Sequence, residues 1–343
     1  MENKSKENRE CLHDMSVHDL MLVNAMTEKL NRRFCDDRKI PLKIYSKYVF
    51  LERLALFGEL DNYISYCHEV VRNFRNDQDY LEAYNRVKNE AIDFIKESEA
   101  YKDLNSCEIS KYISKYNFKQ SNVYSEVNIG KKFISIDMCK ANFSALVAYG
   151  LRTNTKFFDE FDYEKFIAKF TDIKHISKSK YIRQVIFGNC NPRRQIIYET
   201  HLMSLLLDQL FIAKVIDNDT VYSVCSDEII LKADEVDAEK MDELYDIVEE
   251  FSNSIVPLKV EEFTLGKVVG SEAFIKDIYN TACESDDVHR YELKCVNPDE
   301  APFVYRTVKG MQFKDSDSIF NHKGKLAKFL DTPKMRIDFG EIE

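Results

Sequence analysis

No apolar run in this chain approaches the roughly 20 residues that cross a bilayer. The N-terminal stretch MENKSKENRECLHDM is charged, with no apolar core behind it, which argues against a secretory signal. These two absences predict a cytoplasmic protein with no membrane partner. The nine cysteines are scattered singly, with no CxxC pair, so neither a disulfide framework nor a cysteine-rich zinc site is expected. The seven histidines lack HExxH spacing, which argues against a zinc enzyme. Proline and glycine are scarce, with one of each before residue 120, so few breaks are expected in that stretch.

What is present is a soluble composition, 44% hydrophobic and 31% charged, over 343 residues, enough for two or three units around a large core. The formal net charge of -10 argues weakly against nucleic-acid binding, but the charge is unevenly placed. Residues 131–215 carry 14 lysines and arginines against 8 acidic residues, whereas 216–262 carry 3 against 15. A basic middle followed by an acidic block fits a phosphate-binding groove beside a metal-binding face. Much of that acidic block is also the wet face of one helix.

The periodicity gives an α+β protein. Residues 1–14 read as a disordered tail and 15–120 as a helical domain, with apolar groups at helical spacing in 17–34, 44–74 and 80–96. Its aromatic stripes read as core, and its surface is the expected contact for a protein partner. Character changes at Asn122. The run NVYSEVNIGKKFISID alternates and is predicted to be a hairpin whose second strand ends at Asp137. Helices are predicted at 143–150, 157–170, 177–188 and 193–215, the last two separated by the Asn189–Pro192 break. A second hairpin is predicted at 221–233, then a helix at 238–253, a strand at 256–269 and a helix at 271–283. Short strands and polar turns follow to an acidic end.

The chemistry concentrates in two apolar runs that end in carboxylates. KKFISID delivers Asp137, and VYSVCSDEIIL delivers Asp227 and Glu228. Carboxylates brought together from distant strands are a means of holding Mg2+ or Mn2+ beside a triphosphate. Between them lies KYIRQVIFGNCNPRRQ, which offers Lys180 and Arg183 three apart on one helix, with Arg193 and Arg194 after the break.

Residues 122–231 resemble palm-domain nucleic-acid polymerases, most closely family B DNA polymerases, with reverse transcriptases as the second match. The carrying motifs are DMCKANFS at Asp137–Ser144, the series Lys180, Gln184, Val185, Phe187 and Gly188, and Cys225-Ser226-Asp227-Glu228. Gln184 and Val185 replace the family's Asn-Ser, Phe187 its Tyr, and Cys225 stands where the family B hairpin has its first Asp. No exonuclease motifs precede the palm.

The resemblance implies a palm over 121–270, short fingers at about 151–215 and a thumb-like region at 271–343. It implies nucleotide addition to a nucleic-acid 3′ end by two-metal phosphoryl transfer. Asp137, Asp227 and Glu228 would be the catalytic carboxylates and metal ligands. Lys180, Arg183, Gln184, Gly188, Arg193 and Arg194 would line the nucleoside triphosphate and the DNA or RNA. Five residues past the metal Asp, where relatives place a bulky gate against the ribose 2′-hydroxyl, stands Asn142, with Phe143 next. Asn142 predicts use of ribonucleotides; a shift of one residue makes Phe143 the gate and a deoxynucleotide the substrate. Two alternatives stay open: a catalytically inactive palm serving as a scaffold, and a nucleotide cyclase-like palm.

Overall fold

A computed structural model of the chain describes residues 15–45, 47–118, 120–282 and 290–340. The tail expected at 1–14 and the acidic end at 341–343 lie outside the described residues.

Helices dominate the first hundred residues, as the spacing of apolar groups predicts. They are α1 (Val17–Ala25), α2 (Glu28–Arg38), α3 (Lys47–Phe57), α4 (Leu60–Asn73), α5 (Asp77–Glu97) and α6 (Glu99–Ser106). The single helix expected over 17–34 is interrupted at Met26–Thr27, where the Thr27 hydroxyl accepts from Leu30 N and starts α2. Phe34, Tyr63, Tyr66 and Tyr80 are fully buried where these helices meet. Their rings meet edge-on or tilted, the arrangement ring quadrupoles favour.

The sheet begins at β1 (Lys132–Met138). It is followed by α7 (Ala141–Thr153), α8 (Tyr163–Ile167), α9 (Lys174–Ser177), α10 (Lys180–Gly188) and α11 (Pro192–Ile212). The hairpin β2 (Val221–Val224) and β3 (Glu228–Lys232) comes next, then α12 (Ala238–Ser254) and β4 (Leu258–Val269). Strand order is β2-β3-β1-β4, every neighbouring pair antiparallel. With α7 through α11 as one crossover and α12 as the other, this is a β-α-β-β-α-β unit. The sheet continues into β5 (Phe274–Ala282) and β6 (Arg290–Lys294), while β9 (Arg336–Asp338) adds to β4 beyond the end of β1. Between them lie α13 (Ala301–Val308) and a separate hairpin of β7 (Ile319–His322) and β8 (Lys325–Lys328).

The two sheet faces are used differently. Ile134, Ile136, Met138, Ile229, Leu231 and Val260 point into one core continuous with α7, α11, α12 and the N-terminal helices. Phe133, Ile230, Phe263, Phe274 and Ile278 point the other way. Over them lies the segment 121–130, anchored by buried Val123 and by Asn128 Nδ2, which donates to Val123 O and the Tyr222 hydroxyl.

Three expectations are corrected here. Residues 122–131 do not pair with β1; a 3-10 turn at Glu126–Asn128 makes them a strap, and β1 finds its partners about 90 and 125 residues downstream. Within the helix expected at 271–283, Phe274–Ala282 is instead a strand, so the boundary placed at 270 falls within one sheet. Only Tyr163–Ile167 is helical within 157–170, because Phe157, Phe158, Phe166 and Phe170 all converge on one aromatic cluster with Phe94 and Phe143 rather than on one helix face. No helix among the described residues is long and apolar enough to cross a membrane.

β1 is flanked on both sides and fully buried at Ile136. Ile136→Ala should therefore cost about 2–5 kcal/mol by urea unfolding, the range for a large-to-small change in a packed core. A loss well under 1 kcal/mol would mean that β1 is not the centre of this core.

Candidate functional site

At its C-terminal end β1 presents Asp137, whose register partner on β3 is Glu228. Directly opposed residues in an antiparallel pair share a face, so both side chains lie on the face away from α7 and α11. Asp227 sits in the tight turn between β2 and β3, closed by Cys225 N donating to Glu228 O at 2.8 Å. Met138 N donates to Asp227 O at 2.8 Å, so the turn is tied to the end of β1 by its backbone. Sheet register thus sets Asp137 beside Glu228, with Asp227 in the adjoining turn.

Three like charges on adjacent strands repel. Asp137 is open to solvent on one side but otherwise crowded by protein. That desolvation, then the Glu228 and Asp227 charges, pushes its pKa up to about 7, with Lys276 opposing. Polar neighbours hold the other two: Ser135 Oγ donates to Glu228 Oε1 at 2.6 Å, and Ser226 Oγ to Asp227 Oδ1 at 3.1 Å. The Cys225 thiol is raised by burial and by the same two carboxylates.

A counter-charge cluster adjoins on β4 and β5. Glu261, the register partner of Ser135, meets Lys259 at 2.8 Å, Lys276 at 2.9 Å and Arg290. Burial alone would raise this carboxyl; the Lys259 and Lys276 ammonium groups outweigh it and hold it down to about 2. Lys276 is itself almost fully buried and lies 4.3 Å from the Phe263 ring centre.

Behind the turn, on the helical side, stands a residue that the sequence reading missed. Glu199 of α11 is only 2% exposed, yet it carries a carboxyl. Asn142, on the first turn of α7, donates through Nδ2 to Glu199 Oε1 at 2.6 Å. Burial raises the Glu199 pKa to about 7; the Asn142 bond opposes, and the Asp227 charge adds to the rise. One signal was available: Glu199 precedes Leu202, Met203 and Leu206 at helical spacing, on the apolar stripe of α11.

The remaining predicted residues scatter. Phe143 is fully buried among Phe157, Phe158, Tyr163, Phe166 and Phe187, so its ring has no surface with which to gate a sugar. Arg194 is spent on structure: Nε donates to Leu104 O at 2.7 Å and Nη2 to Cys107 O, capping the end of α6. Arg183 is half-buried over the Tyr163 ring, and burial lowers its pKa. Lys180, Gln184 and Arg193 are exposed. Gly188 is exposed too, and a Cβ there would meet nothing within 4 Å, so close backbone packing does not require glycine. Helix α10 packs on α2 and α5, in the N-terminal layer.

The donor set around Asp137 is all carboxylate oxygen, the chemistry Mg2+ and Mn2+ prefer. In the conformation described, no three His, Cys, Asp or Glu side chains among the described residues are gathered closely enough to hold a metal ion. Glu228 is turned to Ser135 instead. A cavity of about 220 Å3 lies in the helical layer, away from the carboxylates, and is lined by Asp37, His175, Lys174 and Ser179 among others. No protein-family model matches this chain, and no curated protein matches its sequence significantly.

The sign of the pH dependence follows from the raised pKa values. Asp137 binds a proton more readily folded than unfolded, where its pKa is near 4. Its stabilising effect is full below about pH 4 and is lost as pH rises through about 7. Asp137→Asn should therefore unfold at higher urea than the natural chain at pH 8, with the difference gone near pH 4. A variant less stable at pH 8 would show that the carboxylate is held by attraction rather than crowded by repulsion.

Proposed function

We propose that the chain is a nucleotidyltransferase on a polymerase-type palm, adding nucleotides to a nucleic-acid 3′ end. One observation carries this reading: Asp137 and Glu228 are register partners on the uncovered end of a β-α-β-β-α-β sheet, with Asp227 in the adjoining turn. Two-metal phosphoryl transfer uses carboxylates that converge from separate strands, and this pairing supports that reading.

Asp137 and Asp227 would hold the Mg2+ or Mn2+, with Glu228 joining once its side chain leaves Ser135. A divalent cation held there would supply charge neutralisation of the triphosphate and would favour the deprotonated 3′-hydroxyl. The chain's own work is placement. The 3′ oxygen forms its bond to the α-phosphorus as the bond to pyrophosphate breaks, and the hydroxyl proton passes to solvent. Burial first, and then the neighbouring Glu228 and Asp227 charges, raise the pKa of Asp137. Lys180, Gln184 and Arg193 are the exposed side chains left to meet triphosphate or nucleic acid. The same reading takes nucleoside triphosphates and DNA or RNA as partners, in the cytoplasm.

A second reading, a palm that no longer catalyses, is favoured by one feature. Cys225 stands where family B hairpins carry their first carboxylate, and its thiol is raised rather than ionised.

The deciding experiment incubates the natural chain and Asp137→Ala with each NTP and dNTP, with and without a primed template, in Mg2+ and in Mn2+. Extension by the natural chain, reduced at least about 10²-fold in Asp137→Ala, is expected. A natural chain that binds cation and nucleotide but never extends a primer would establish the inactive palm. One that binds neither would dismiss both readings.

Arg193→Glu should weaken nucleic-acid binding and flatten its salt dependence, since it reverses one exposed cation. Arg194→Glu instead should lower the melting temperature, because it uncaps α6. Equal behaviour of the two variants would mean that Arg193 makes no phosphate contact.

A further inference from the structure

The cavity in the helical layer lies where α2, α4 and the α9–α10 junction meet, and every residue lining it is polar or charged. At about 220 Å3 it offers many times the space of one water. Its floor is acidic. Asp37 is only 2% exposed, and its Oδ1 accepts from the Ser179 and Tyr84 hydroxyls at 2.7 and 2.8 Å. Oδ2 has no partner among the described residues. The Arg33 charge reaches Asp37, yet that guanidinium lies over the Tyr84 and Tyr181 rings, and its Nε and Nη1 find no partner either. Burial pushes the Asp37 pKa up to about 6, against the hydrogen bonds from Ser179 and Tyr84, so the carboxyl is charged at pH 8. An ionised oxygen left unpaired in a protein interior is costly.

The rim is basic. Lys174 and Lys178 stand one helical turn apart, both exposed, and neither has an ion-pair partner among the described residues. Like charges at that spacing repel. The other charged lining residues are already engaged: Arg38 with Glu59, and Glu69 with the backbone N–H groups of Lys174 and His175. His175 is neutral, because burial and then the Arg38 charge lower its pKa to about 4. One carboxylate oxygen below and two ammonium groups above are left open.

We propose that this cavity binds a small phosphorylated amine, whose ammonium group donates to Asp37 Oδ2 and whose phosphate monoester lies between Lys174 and Lys178. A monoester carries close to two negative charges at neutral pH, which two lysines match and a single carboxylate does not. The ammonium supplies a charge-assisted bond to the oxygen that no protein group reaches. A nucleic-acid backbone has no ammonium group and leaves Asp37 unanswered. The site is separate from the carboxylates of β1 and β3, and it stands whether or not the chain extends nucleic acid.

The test is isothermal titration of the full chain at pH 8 with phosphoethanolamine and with ethyl phosphate, which has the phosphate but no ammonium group. The natural chain should bind the first roughly ten- to a hundredfold more tightly, the worth of one charge-assisted hydrogen bond. Asp37→Asn, which keeps an oxygen for Ser179 and Tyr84, should bind the two equally. Joint Lys174→Gln and Lys178→Gln, on the exposed rim, should weaken both ligands by a similar factor and leave their ratio unchanged.

Equal affinity for the two ligands in the natural chain overturns the proposal, as does binding of neither. So does a lysine variant that binds as tightly as the natural chain. These outcomes decide the matter even if Asp37→Asn fails to fold. An oligonucleotide that displaces phosphoethanolamine at lower concentration than ethyl phosphate does would reassign the lysines to nucleic acid and overturn it too.

Discussion

The pairing of β1 with β3 on one side and β4 on the other is the constraint on which the rest depends. Its inward residues, Ile134 and Ile136, are fully buried and bring α7 and α11 onto the sheet. A one-residue slip would turn those side chains out to the opposite face, so the register is held by the whole core. The same register forces Asp137 against Glu228. Their proximity is therefore set by the backbone, whatever rotamers the two side chains adopt. It is imposed by the hydrophobic core, with Ser135 and Ser226 donating to Glu228 and Asp227 and the Lys276 charge opposing the rise at Asp137.

Legibility in the sequence followed the range of the interactions. β1, the β2–β3 hairpin, α12 and β4 were readable because alternation or a 3.6 period is local. The partners of β1 were not, because they lie about 90 and 125 residues away and nothing in NVYSEVNIG marks it as a strap. β5 was mistaken for a helix because it is buried on both faces. Phe274 and Ile278 enter one cluster and Ala273 and Ile275 another, leaving an apolar spacing that a helix also produces.

In the site, Asp137, Asp227 and Glu228 were legible as acids ending apolar runs. Glu199 was not, because a carboxyl on an apolar helical stripe gives no sign of what it will bond. Arg194 misled for the opposite reason: its place in a basic run looks like a phosphate contact, while its bonds go to the carbonyls of α6.

The most direct measurement is Mn2+ binding, followed by electron paramagnetic resonance at pH 8 with a nucleoside triphosphate present, in the natural chain and in Asp137→Asn. The account predicts bound Mn2+ in the first, displaced by Mg2+ and weakened as pH falls below about 7, and markedly weaker binding in the second. Equal binding in both, or none beyond that of the free nucleotide, would contradict it.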